Sequence, residues 1–123
     1  MTKILVVDDD KMQCTLIKRI LQKEGHIVYA ATSGNEGLQI ADSKKIDLVF
    51  TDIVMPEMDG IELIRKLLAT NKDLPVVVIS GDDLGKTYFP NAHRLGAKAC
   101  LEKPVNKSDI LELIEQLVFA VKR

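Results

Sequence analysis

No sign of charge dominates this chain: 17 basic and 18 acidic residues leave a formal net charge of −1. The basic excess that marks nucleic-acid binders is therefore missing. Cysteine is scarce as well. Cys14 and Cys100 stand far apart, with no His or Cys neighbour at metal-ligand spacing, which argues against a zinc or disulfide framework and suits reduced cytosolic thiols. No apolar run approaches the roughly 20 residues of a membrane span. Met1-Thr2-Lys3 leads straight into a strand-length run that is too short for a signal h-region. Repeats, linkers and low-complexity tracts are also lacking. What remains is 123 residues, 46% of them apolar, enough for one domain around one core. The chain is expected to be soluble and cytoplasmic.

What is present is an alternation. Short apolar runs at residues 4–7, 27–30, 48–51, 76–79 and 99–101 read as buried strands. Helix-like segments separate them, the pattern of an α/β fold with a doubly wound parallel sheet. Met12, Leu16, Ile17, Ile20 and Leu21 recur at helical spacing, and Gly25 ends that segment. Ser33 with Glu36, and Asp59 with Glu62, read as capping boxes that open the second and third helices. Ile61, Ile64, Leu67 and Leu68 form the inner stripe of the third. The last helix is predicted to begin near Asn106 and to turn Ile110, Leu113, Ile114, Leu117 and Val121 inward. Leu111, Val118 and Phe119 fall off that stripe and read as flank packing, with a partner-facing patch as the second option. Gly81, Gly85 and Pro90 interrupt the segment between Ser80 and Gly96. A long loop after the fourth strand and a short helix over about 90–95 are expected there.

The chemistry gathers at strand ends. Asp8-Asp9-Asp10 follows the first run, Asp52 the third, Ser80 the fourth and Lys103-Pro104 the fifth. The second strand ends in Ala31-Thr32 and offers nothing comparable. That omission fits a strand order of 2-1-3-4-5, with strand two at the edge and the others around the crevice beyond the carboxyl ends. Like charges packed together need neutralising, and a hard divalent cation with oxygen ligands would do it. Asp52 is ionised at neutral pH and could act as a nucleophile without a general base. Phosphoryl transfer asks mainly for positioning and charge neutralisation. Lys103 could pair with one phosphoryl oxygen and Ser80 could donate to another.

Ile4-Leu5-Val6-Val7-Asp8-Asp9-Asp10, the segment from Thr51-Asp52 through Met55-Pro56 to Asp59-Gly60, Ser80 and Lys103-Pro104 together resemble a CheY-like response-regulator receiver domain. The resemblance covers essentially the whole chain, in order and at family-like spacing. It implies a flavodoxin-like fold and a phosphoacceptor signalling domain of a two-component or phosphorelay system. Asp52 would accept a phosphoryl group from a phosphohistidine on a sensor histidine kinase or histidine phosphotransfer protein. Mg²⁺ would be held by Asp9, Asp52 and the backbone carbonyl of Val54, with Asp8 helping mostly through water. Ser80 and Lys103 would hold the phosphoryl oxygens, and the Lys103–Pro104 bond would be cis. Asp10 has no matched role and is expected to cap the first helix. The resemblance further implies no enzyme in the ordinary sense, but a phosphoacceptor that assists its own phosphorylation and dephosphorylation. It would be a monomer or weak homodimer with a separate downstream effector, without direct nucleic-acid contact or membrane insertion. Residues 1–123 would form a single receiver domain with no output domain.

Two positions depart from the family pattern. Cys100 stands three residues before Lys103, where such domains usually carry Tyr or Phe, and the segment from Gly81 to Gly85 is longer than usual. Ordering of residues 81–89, rather than rotation of an aromatic ring, is then the expected output switch. His26 and His93 show no carboxylate or cysteine partner at a recognisable spacing and read as structural. Two competing functions are weaker. A haloacid-dehalogenase-type phosphatase would use Asp8 as its nucleophile, but that leaves Asp52 and Lys103-Pro104 unexplained. A receiver-like binding module that no longer accepts phosphate leaves the retained acidic pair, Asp52, Ser80 and Lys103 without a purpose.

Overall fold

The computed structural model describes residues 2–119, the side chain of Phe119 excepted, so the expectations for Val121 and Phe119 lie outside the described residues. Five strands, β1 (Lys3–Val7), β2 (Ile27–Ala31), β3 (Leu48–Asp52), β4 (Val76–Ser80) and β5 (Ala99–Glu102), alternate with helices. They form one parallel sheet in the order β2-β1-β3-β4-β5, the expected fold class. The helices are α1 (Lys11–Lys23), α2 (Gly34–Ser43), α3 (Gly60–Thr70), α4 (Asp83–Lys86), α5 (Phe89–Leu95) and α6 (Lys107–Ile114), the last running into a π-helical turn at Glu115–Phe119.

The strand interiors are mostly apolar because both sheet faces are covered, and successive residues serve opposite layers. Leu5, Val7, Val49, Val76 and Val78 pack toward Leu63, Ile64 and Leu67 of α3 and Ala92 of α5. Ile4, Val6, Leu48, Phe50, Val77 and Ile79 pack toward Cys14, Ile17 and Leu21 of α1 and Ile110 and Ile114 of α6. The helix starts follow their capping residues. Asp10 accepts from Met12 N–H at 2.9 Å, Ser33 from Glu36 N–H at 3.1 Å, Asp59 from Glu62 N–H at 2.9 Å and Asn106 from Asp109 N–H at 2.8 Å. Each satisfies an otherwise orphaned backbone donor.

Four expectations need correcting. The inner face of α1 is Cys14, Ile17 and Leu21, whereas Met12 and Leu16 are 81% and 47% exposed. Cysteine behaves as a small hydrophobe, and its inclusion rotates the stripe away from the two larger side chains. On α3, Leu63 is buried, while Ile61 and Leu68 only flank the core. The stretch after β4 is no long loop. Asp82 accepts from Gly85 N–H at 2.6 Å and starts the helical turn of α4, and Pro90 then lies in the first turn of α5. At the C-terminal end, the extra residue of the π turn turns Val118 (3% exposed) into the core, while Leu117 is only partly buried. Among the described residues no helix is long and apolar enough to cross a membrane.

Candidate functional site

Register brings the acids together. Val7 of β1 lies beside Thr51 of β3, so the residues leaving these neighbouring strands, Asp8-Asp9 and Asp52, emerge side by side. One carboxylate oxygen from each of Asp8, Asp9 and Asp52 lies within 4.8 Å of the others. Asp8 is buried; it accepts from Asp10 N–H at 2.9 Å and meets Lys103 Nζ at 2.8 Å. Asp52 accepts from Ile53 N–H at 2.8 Å and from the same Nζ at 3.2 Å. Asp10 stays outside this group as the cap of α1.

Lys103 arrives from the far side. Its backbone N–H donates to Ser80 O at 2.9 Å, extending the β4–β5 pairing past Glu102. Gly81 clears the way for its stem, since a Cβ there would lie 3.1 Å from Lys103 Cβ. The Lys103–Pro104 bond is cis. One ammonium among three carboxylates leaves a nominal charge of −2, and each like-charge pair about 4 Å apart costs on the order of 4 kcal/mol at an effective dielectric near 20. Burial and the charge of Asp8 push the Asp52 carboxyl above its ordinary range, and Lys103 and the Ile53 N–H pull it back only partway. Burial alone would lower Lys103, but its hydrogen bond to Asp8 and the charges of Asp52 and Asp8 hold it above its ordinary value. The two shifts agree, because one cation is shared by two acids. An all-oxygen, net-anionic donor set of this kind fits a hard divalent cation.

The turn of residues 53–60 fixes Asp52 from the other side. Gly60 N–H donates to Ile53 O at 2.6 Å, and a Cβ on Gly60 would run into the carbonyl oxygen of Asp52. Glu57 takes a positive φ of 66° while Met58 N–H reaches Pro56 O at 2.8 Å, a tight turn that presents Val54, 39% exposed, two residues beyond Asp52.

A roof covers Ser80. This serine is 1% exposed, and its hydroxyl reaches only Asp82 O, at 3.5 Å, where little of a hydrogen bond remains. Gly85 of α4 sits so close that a Cβ would overlap Ser80 Oγ. Lys86 ties the turn to β5 through Glu102 at 3.6 Å. Gly85→Ala is therefore expected to lift α4 off the site, at a cost of about 1–3 kcal/mol. Amide exchange across residues 82–88 should rise roughly 10-fold or more; unchanged protection would show that the roof tolerates a methyl group.

The sequence reading did not find the surface around the site. Met12 and Leu16 line an open groove of about 420 Å³ with Lys11 and Arg19, beginning directly after Asp10. Val54, Leu84 and Tyr88, which are 39%, 58% and 38% exposed, line a second hollow with Met55 and Ile61. Met12 and Leu16 share the helical spacing of the residues that face inward, and Leu84 and Tyr88 lie in the segment expected to be loop. His93, read as partnerless, has Nε2 3.3 Å from Cys100 Sγ.

The family description "Response regulator receiver domain" matches residues 4–115. Protein PilH of Pseudomonas aeruginosa is 33% identical over 120 residues, covering 96% of this chain and 98% of PilH. The transcriptional regulatory protein ZraR of Salmonella typhimurium is 34% identical over 113 residues, 92% of this chain but only 25% of ZraR. The crystal structure of response regulator protein TrrA from Thermotoga maritima, in complex with Mg(2+)-BeF, superposes with a TM-score of 0.86 at 29% identity, over 96% of this chain and 100% of TrrA. With the sheet order, the acidic cluster and the lysine that follows β5 all in place, this chain belongs to the response regulator receiver domain family.

Proposed function

We propose that Asp52 accepts a phosphoryl group from a phosphohistidine, and that the chain thereby switches in a two-component or phosphorelay pathway. The observation that carries this reading is the single ammonium of Lys103 bridging Asp8 at 2.8 Å and Asp52 at 3.2 Å inside a cluster of three carboxylates. Asp52 Oδ attacks phosphorus, the donor's N–P bond breaks as the new O–P bond forms, and the departing imidazole keeps the nitrogen lone pair and takes up a proton from solvent. A carboxylate needs no general base for this step. Lys103 moves from the carboxylates toward a phosphoryl oxygen, and the weakly engaged Ser80 hydroxyl donates to another.

Asp9, Asp52 and the Val54 carbonyl would hold Mg²⁺, with Asp8 assisting through water. When bound, the ion supplies charge neutralisation at the phosphoryl oxygens. The structure of TrrA from Thermotoga maritima in complex with Mg(2+)-BeF supports this assignment. The chain modifies itself and turns over no released substrate, so it counts as a phosphoacceptor rather than an ordinary enzyme.

Incubation with acetyl phosphate and Mg²⁺, followed by reductive trapping of the acyl phosphate and peptide mass spectrometry, tests the proposal. The adduct is expected on Asp52 and is expected to vanish when EDTA is present. Labelling at Asp8 instead would favour the phosphatase reading.

A protein donor must approach across the rim, and the Met12–Leu16 groove is an exposed apolar surface on α1 close in sequence to Asp8 and Asp9. The double variant Met12→Ser, Leu16→Ser is expected to slow transfer from a protein phosphodonor by about 10-fold or more, in line with the loss of two apolar anchors. Labelling by acetyl phosphate, which needs no docking surface, should stay unchanged. Equal slowing with both donors would place the effect at the site itself.

A further inference from the structure

We propose that Cys100 and His93 form a nucleophile–base pair for thiol–disulfide exchange with small-molecule disulfides, in the crease between α5 and β5. This proposal is independent of the phosphoacceptor reading. His93 Nδ1 lies 3.2 Å from Ala97 O. A carbonyl oxygen only accepts, so the proton of the neutral ring sits on Nδ1 and Nε2 keeps a bare lone pair. That lone pair faces Cys100 Sγ at 3.3 Å. The arrangement is built by the end of α5. Gly96 adopts a φ of +117°, and Ala97 N–H then returns to Ala92 O at 2.9 Å, which brings the Ala97 carbonyl back over the His93 ring.

The base is needed. Cys100 is partly exposed, yet its packing against the core pushes the thiol above its ordinary range. A thiol of that kind holds little thiolate at neutral pH and would be sluggish alone. With Nε2 in reach, the Cys100 proton passes to the imidazole as Sγ attacks one sulfur of the disulfide. The new Sγ–S bond forms and the S–S bond of the reagent breaks. The released thiolate then takes the proton from His93. One disulfide is exchanged for another, so the small disulfide is the sole co-reactant.

Nothing in the chain can resolve the adduct. Cys14 packs on the opposite face of the sheet, its thiol within 3.3 Å of Ala31 O and 3.4 Å of Asp8 O. Burial and the charge of Asp8 raise it to about 11. The mixed disulfide at Cys100 therefore lasts until an external thiol removes it. Until then it adds bulk where the segment of residues 81–95 meets β5.

The test uses the reduced full chain at neutral pH with 2-hydroxyethyl disulfide, followed by intact-mass and peptide mass spectrometry. One adduct is expected, on Cys100, and none on Cys100→Ser. His93→Asn can still donate to Ala97 O but has no basic nitrogen, so the rate should fall about 10-fold or more. His93→Gln serves as a second variant and should slow in the same way. Labelling of Cys14 reports unfolding and guards against a trivial loss. Rates for both variants equal to the parent's, or Cys14 modified as fast as Cys100 in the folded parent, would overturn the proposal.

Discussion

Asp52→Asn is expected to take up no phosphoryl group from acetyl phosphate or from a phosphohistidine donor, and to melt a few degrees above the parent chain. The first effect follows from chemistry, since a carboxamide oxygen is a far poorer nucleophile than a carboxylate. The second follows from charge. Asp52 sits above its ordinary carboxyl range through burial and the charge of Asp8, so the folded state binds its proton more tightly than the unfolded chain does. The fold then loses stability as pH climbs from the ordinary carboxyl value through the raised one. Asparagine carries no charge to desolvate and can still accept from Ile53 N–H. Lys103 keeps its shorter contact to Asp8, at 2.8 Å. Thermal melting by circular dichroism reads the result. A lower melting temperature would mean that the Lys103–Asp52 pair outweighs the crowding of the acids.

Gly60→Ala is expected to have the largest effect on stability of any single methyl added near the site, a loss of about 3 kcal/mol and on the order of 10 °C in melting temperature. The added Cβ would meet the Asp52 carbonyl oxygen, and it would lie 2.8 Å from Ile53 Cα and 3.1 Å from the Asp52 carbonyl carbon. All three are backbone atoms and cannot swing aside. The hydrogen bond from Gly60 N–H to Ile53 O, 2.6 Å long, would stretch or break, and the turn that seats Asp52 would go with it. Gly25→Ala is the control. Nothing lies within 4 Å of its Cβ position, and only its left-handed φ of +87° opposes the change, so about 1 kcal/mol is expected. Equal losses at the two glycines would show that backbone conformation, not collision, sets the cost at Gly60.

The sheet could be read from the chain because all five strands are short apolar runs closed by polar residues, and a strand covered on both faces has no other appearance. The acids were legible for the same reason, each standing where such a run stops. Periodicity failed where one residue decided the phase. Cys14 occupies an inner position of α1, while Met12 and Leu16, which share the helical spacing of the large aliphatics, face outward. The π turn moved Val118 into the place expected of Leu117. Gly85 looked like a helix breaker, yet it belongs to a helical turn because only glycine fits against Ser80. The pairing of His93 with Cys100 joins a helix and a strand across the bend at Gly96, a contact that no linear spacing announces.

The strand order has a mechanical consequence. Asp8, Asp9 and Asp52 are mounted on β1 and β3, interior strands whose residues are almost wholly enclosed. Lys103 is mounted on β5, an outermost strand of four residues, none of them fully buried. The site thus has one stiff jaw and one compliant jaw. A group that arrives at Asp52 and draws Lys103 toward it deforms the soft side. Any displacement of Lys103 is expected to reach α4 through the Glu102–Lys86 contact.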